Sequence, residues 1–252
     1  MVSNETLSRI KKSGVAITKI HNRNSYVDTI NKVVFCFTPR AACTLAFTQF
    51  LDLVGLLSDA QNFSPWIHDF RIQVLHQHVA YIDPGTLKRL GFLFIKFIMN
   101  PYRRVVSCFN IHPQEPHRGC LTFKSYLDKR IHTPEYFNLT DNAHHIQQYE
   151  RGEHRYITKY IAVNLNETFE FVKKDKTVYL IDLSQFKSDH HTKKIDTSDP
   201  NDSFSDIPLI ELVKAMPANY KAFYSDDTIR KAVETLYKDD IGKYPFKFED
   251  PW

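Results

Sequence analysis

The alternation of apolar and polar stretches sets out strands and helices along the chain. Residues 33–37, Val-Val-Phe-Cys-Phe, form a short β-rich apolar run of the kind buried on both faces. A tight segment, 38–44, follows. Leu45, Phe47, Phe50, Leu51, Val54 and Leu57 then recur at helical spacing. This strand–loop–helix order opens an α/β fold. Residues 92–99 predict a second buried strand, which ends in Asn100-Pro101, and Val105, Val106 and Phe109 begin another helix. Residues 177–182 predict a third buried strand. Residues 74–82 read as a short strand or extended segment, and 86–90, 146–160, 207–216 and 226–237 as helices. Residues 58–73, 111–145 and 187–206 read as mainly irregular. Residues 1–30 are too polar to show a core-facing pattern beyond one short helix. The expected architecture is a polar lead-in over 1–30 and a single domain over 31–252. That domain is α/β, a three-layer sandwich around a central parallel sheet. Ligands of such sheets bind beyond the carboxyl ends of the strands, so the loops after Phe37 and Met99 become the candidate sites.

Composition narrows this only a little. The chain has 252 residues, 42% hydrophobic, which is enough for one sizeable core. The net charge of +4 is too small to argue for nucleic acid and suits an anionic ligand. Cys36, Cys43, Cys108 and Cys120 lie in or beside apolar segments, so they form no disulfide framework and a reducing compartment fits. The first thirty residues hold no signal-like apolar stretch, and no run is long enough to span a membrane. The expectation is therefore a cytoplasmic chain with no membrane span and no nucleic-acid partner. Sequons at Asn4, Asn138, Asn166 and Asn201 matter only in a secreted chain. Cys108, His112, His117 and Cys120 are zinc-ligand types, but their spacing fits no standard finger, so no metal is expected.

Loop 38–44 has the layout of an anion cradle. Backbone N–H groups and a helix N-terminus face one point, Arg40 adds charge, and Thr44 adds a hydroxyl. An ordinary strand-to-helix turn fits the same residues. The Gly-Lys-Ser/Thr ending of a Walker loop is absent. Thr38-Pro39-Arg40-Ala41-Ala42-Cys43-Thr44 resembles the 5′-phosphosulfate loop, Pro-Lys-x-Ala-x-Thr/Ser, of carbohydrate sulfotransferases that use 3′-phosphoadenosine-5′-phosphosulfate (PAPS). Arg40 stands where that family has Lys, so a planar fork replaces a point donor. Asn100 to Ser107 resembles the family's 3′-phosphate segment, Arg-Asp/Asn-Pro-x-x-Arg-x-x-Ser. Asn100, Pro101, Arg104 and Ser107 match, and Met99 takes the place of the first Arg. His76-Gln77-His78-Val79-Ala80-Tyr81-Ile82-Asp83 is similar to the base-carrying segment of heparan sulfate and uronyl 2-O-sulfotransferases. His144 with Gln148, and residues 236–244, resemble later segments of a related branch.

The resemblance implies a P-loop-kinase-like sulfotransferase fold. It implies PAPS as donor, 3′,5′-adenosine bisphosphate as product and a carbohydrate hydroxyl as acceptor. The family pattern would make His78 the general base, with His76 second. Pro39, Arg40, Ala41, Ala42, Cys43 and Thr44 would hold the phosphosulfate. Ser107, helped by Arg103 or Arg104, would hold the 3′-phosphate, with Arg103 or Lys96 replacing the missing Arg. Two other classes remain open: a nucleotide-dependent kinase of the same architecture, and a non-catalytic nucleotide- or glycan-binding module. The sequence does not fix the acceptor or the oligomeric state.

Overall fold

The computed structural model describes residues 2–20, 23–110, 119–133, 144–163, 167–185, 194–195, 203–212, 216–217, 220–224 and 226–250. The chain divides into two compact units, Met1–Ile98 with Glu150–Ser188 and Met99–Tyr149 with Asp189–Trp252. Asn138, Asn166, Asn201, His112 and His117 lie outside the described residues, as does most of 187–206.

The first unit is mixed α/β, built on a six-stranded sheet in the order β4-β1-β2-β3-β5-β6. The strands are β1 (Val15–Ile20), β2 (Arg23–Asp28), β3 (Val33–Phe37), β4 (Ala80–Tyr81), β5 (Leu93–Ile98) and β6 (Lys159–Ala162). The pairings β4–β1, β3–β5 and β5–β6 are parallel, while β2 is antiparallel to both neighbours. Five strands therefore run one way and β2 alone opposes them. The carboxyl ends of β1, β3, β5 and β6 share one edge with the start of β2, where Ile20 pairs with Arg23.

Alternation along the strands makes two buried faces. Val33, Phe35 and Phe37 of β3 join a core with Ile10 of helix α1 (Asn4–Lys12) and Phe47 and Phe50 of α2 (Cys43–Leu53). Val34 and Cys36 join a second core on the opposite face, with Phe94 and with Leu87 of a short helix, Pro84–Arg89. The turn from α1 into β1 uses Gly14 at φ 70°, where an added Cβ would stand 2.7 Å from side-chain atoms of Thr29 and Ile30.

Several expected elements differ. Residues 15–28, taken from their polarity as part of a lead-in, form β1 and β2 inside the central sheet. The fully buried Asp28 is satisfied locally, accepting from the Ile30 and Asn31 backbone N–H groups at 2.9 and 3.0 Å. Residues 146–160 are not one helix; a short 3₁₀ turn at Glu153–Arg155 leads into β6. Residues 178–181 are not a central strand. They form β8 (Val178–Ile181), antiparallel to β7 (Phe169–Val172) in a separate hairpin, with Val178 59% exposed. Residues 57–63 and 67–78 are helical rather than irregular or extended, and Phe70–Leu75 is a π-helix.

In the second unit, α3 (Pro101–Phe109) packs with helices Phe123–His132 and Asp227–Leu236 around Val105, Phe109, Phe123, Tyr126 and Val233. The start of α3 follows its sequence signal: Asn100 accepts from the Tyr102 N–H at 2.9 Å and Pro101 occupies the first turn.

One charged pair lies inside the second core of the sheet domain. Lys96, in the middle of β5, is 5% exposed and reaches Glu153 at 2.5 Å. Burial pulls Lys96 below the ordinary lysine range, while Glu153 opposes that shift. Replacing Glu153 by Gln removes the carboxylate bonded to a buried ammonium and should lower unfolding free energy by about 3 kcal/mol. The double replacement Lys96→Met, Glu153→Leu should recover most of that loss. Urea unfolding of both variants checks it, and an unaltered midpoint for Glu153→Gln would contradict it.

Candidate functional site

The site grows from the loop that leaves β3. Arg40 has φ 64° and Ala42 φ 53°, both left-handed, with the buried Ala41 between them. The other non-glycine residues at positive φ among those described are Lys32 and Lys176. They sit in the turns of the β2–β3 and β7–β8 hairpins, where such values are ordinary. Nothing so routine accounts for Arg40 and Ala42. Left-handed residues in a strand-to-helix loop are the kind of backbone from which anion-binding nests are built. The Ala41 N–H is tied back to the Thr38 carbonyl at 3.1 Å.

Ala42 is also the N-cap of the eleven-residue α2 and has no side-chain oxygen. The helix beginning at Ser3 and the one beginning at Asp83 are each capped by a side-chain acceptor. Helix α2 therefore presents its first-turn amides without a side-chain cap, at the positive end of its dipole. Arg40 adds a half-buried guanidinium and Thr44 a hydroxyl.

Two networks hold this loop, one on each face of the sheet. On the charged face Arg23 donates to Thr38 Oγ1 at 2.6 Å and pairs with Glu150 at 2.5 Å. The Glu150 N–H donates to Glu153 at 2.8 Å, and Glu153 in turn holds Lys96. A small cavity opens among Arg23, Ser25, Cys36, Thr38, Lys96 and Glu153. The Cys36 thiol is pushed up to about 12 by burial, which removes it as a nucleophile.

On the aromatic face the ring of Phe47 is the hub. Tyr26 lies 4.9 Å from it, His68 stacks at 6.2 Å, and the Arg71 guanidinium carbon stands 6.0 Å from its centroid. His68 Nε2 is 3.0 Å from Thr44 Oγ1 and 3.9 Å from Cys43 Sγ, so an imidazole backs the start of α2. His76 Nε2 is 2.9 Å from the Tyr26 hydroxyl. Burial, with Arg71 nearby, lowers the His76 pKa below the ordinary histidine value. Burial also raises Tyr26 well above its ordinary value, which keeps the phenol protonated.

The expected residues are therefore divided. Pro39, Arg40, Ala41, Ala42, Cys43 and Thr44 form the loop described above. His76 and His78 do not share a face of an extended segment. The chain is helical there, residues two apart point in different directions, and His76 alone meets Tyr26. His78 is exposed and makes no hydrogen bond among the described residues. Lys96 is buried in its pair with Glu153.

Arg103, Arg104 and Ser107 belong to the second unit. Arg104 is fully buried, with its guanidinium donating to the His144 and Ile146 carbonyls at 2.8 Å each, so it braces that unit's own backbone instead of facing a ligand. Arg103 lies partly exposed over the Tyr220 ring, 5.7 Å from its centroid, and Ser107 is half-buried. Met99 has both backbone groups taken by the buried Gln148, at 2.8 and 2.7 Å, and the Gln148 N–H donates to Asp240 at 2.9 Å. The segments around Gln148 and Asp240 thus close on the residues flanking Met99.

Of the four candidate zinc ligands, Cys108 is buried and its thiol donates to the His144 carbonyl at 3.2 Å. No group of three or more metal-ligating side chains occurs among the described residues. No described helix is long and apolar enough to cross a membrane.

Sequence reasoning missed Arg23, Tyr26, His68 and Arg71. Arg23 and Tyr26 lay in a stretch set aside as polar, and His68 and Arg71 in a stretch taken as a loop. No protein-family model, curated protein or solved structure matches the chain.

The loop geometry has a direct check. Ala42→Gly should leave stability nearly unchanged, because Gly enters the left-handed region freely. Ala42→Val should lose about 1–2 kcal/mol of stability, because a β-branched side chain resists that region. Thermal unfolding measures both. Equal behaviour of the two variants would contradict the geometry.

Proposed function

We propose that the chain is a sulfotransferase that moves a sulfuryl group from PAPS to a hydroxyl of a carbohydrate acceptor. The observation that supports it most is the loop after β3. Its left-handed Arg40 and Ala42 lead into an α2 with no side-chain cap, at the carboxyl edge of a mostly parallel sheet. The resemblance of Pro39, Ala42 and Thr44 to a phosphosulfate loop gives that cradle its ligand. On this reading the layered domain is a P-loop-like sulfotransferase fold.

The acceptor oxygen forms its bond to sulfur as the bond from sulfur to the 5′-phosphate oxygen breaks, and 3′,5′-adenosine bisphosphate leaves. Arg40 and the first-turn amides of α2, residues 43–45, stabilise charge on the equatorial and departing oxygens. Thr44, hydrogen-bonded to His68, is held at the same anion. His76 takes the acceptor proton. The hydrogen bond to Tyr26 anchors the His76 ring, and the lowered pKa keeps it neutral at neutral pH. His76 replaces His78 in this role because its ring has that anchor.

A second reading is favoured by the second unit. Arg104 and the backbone of Met99 are committed internally, so a site that grips the phosphosulfate without reading the 3′-phosphate is also consistent. Affinity for adenosine 5′-phosphosulfate equal to that for PAPS would favour it.

Calorimetry should show 3′,5′-adenosine bisphosphate binding more tightly than ATP, and radiolabelled PAPS should transfer label to a glycan acceptor. Arg40→Ala should lose most turnover. The kcat profile should rise with pH through a value below about 6.5, the ordinary histidine pKa, and then level off. Arg71→Gln removes a positive neighbour and should move that limb to higher pH. Tighter ATP binding, or full activity of Arg40→Ala, would overturn the assignment.

A further inference from the structure

We propose that Trp66 is the platform on which the acceptor's sugar ring stacks. The inference rests on the sulfuryl-transfer reading and assigns an acceptor subsite to that same site. Trp66 is 45% exposed, although an aromatic side chain of this size gains most by burial.

The exposed ring stands on a fixed backbone. The Trp66 N–H donates to Ser64 Oγ at 3.1 Å, Ser64 Oγ donates to Asp69 at 2.7 Å, and the Asp69 N–H donates to the Trp66 carbonyl at 2.9 Å. The indole meets the His68 ring edge-on, with centroids 5.4 Å apart and planes at 75°. His68 is only 5% exposed, and its Nε2 lies 3.0 Å from Thr44 Oγ1 in the first turn of α2. One short relay therefore links an open aromatic surface to the start of the helix on which the anion cradle is built.

The surroundings select the occupant. A pyranose has a face of C–H bonds and a rim of hydroxyls. The indole suits the first, and a neighbouring donor suits the second. Arg71 carries donors in the same aromatic cluster: its guanidinium lies over Phe47, the ring on which His68 stacks, and forms no ion pair among the described residues. An aryl acceptor would use the platform and leave the donor idle. Arg71 sits within the π-helix Phe70–Leu75, a distortion that often marks functional sites.

The chain has two tryptophans, so Trp252→Phe leaves Trp66 as the only indole emitter. That variant should be titrated with chitotriose, a neutral pyranose oligomer, and separately with 2-naphthol, each with and without 3′,5′-adenosine bisphosphate. Chitotriose should shift the Trp66 emission to the blue, saturably. In the otherwise unaltered chain, calorimetry should show Trp66→Phe keeping chitotriose affinity within a few-fold and Trp66→Ala weakening it about tenfold, with nucleotide affinity unchanged in both. A response to 2-naphthol alone would overturn the sugar assignment, and no response to either would overturn the platform. A chitotriose response without nucleotide binding would keep the platform and remove the donor, which separates this failure from failure of the sulfotransferase reading.

Discussion

Arg40 and Ala42 are held at positive φ with one residue between them, in a loop that contains no glycine. Each such residue costs on the order of 1–2 kcal/mol, and backbone strain of this kind persists where the surrounding structure over-determines it. Two neighbouring constraints do so here. Arg23 fixes Thr38, the first residue of the loop, and Arg23 is itself held by Glu150, whose N–H binds the Glu153 carboxylate that holds Lys96. On the opposite face Phe47 anchors the first turn of α2 among Tyr26, Phe37 and His68. The loop is thus fixed by charge on one side and by rings on the other, and α2 keeps its first-turn amides without a side-chain cap.

The same arrangement distributes the chemistry. β2 runs against its neighbours, so its first residue, Arg23, reaches the edge where β3 ends, while Tyr26 faces the aromatic core three residues later. Tyr26 orients His76, His68 contacts Thr44, and Arg71 lies over the ring between them. Three groups that could handle protons or anions thus gather around one phenylalanine without metal-binding spacing.

The legible part of the fold was the part with strong periodicity. β3, the loop, α2, β5 and the start of α3 follow directly from apolar runs and from Asn100-Pro101. β1 and β2 were hidden because Ser25 and Asp28 are polar yet buried, with the Asp28 carboxylate accepting from backbone N–H groups of the turn that follows. β6 was hidden because Lys-Tyr-Ile-Ala is too short and polar to announce itself. The reverse error befell residues 178–181, whose apolar side chains pointed to a core strand but form a hairpin with one exposed face. The cradle of the site was visible as a motif, whereas its supports were not, because Arg23, His68 and Arg71 come from segments with no pattern. Arg104 shows the opposite hazard: a residue matching a motif spends its charge on two backbone carbonyls.

The central claim is that the amides at the start of α2 form an anion cradle. It is tested most directly by following backbone ¹⁵N–¹H resonances while 3′,5′-adenosine bisphosphate is added, with adenosine as the uncharged control. The account predicts that the amides of residues 40–45 move with the bisphosphate, saturably and together, and stay in place with adenosine. Shifts confined to other segments, or equal shifts with adenosine, would contradict it.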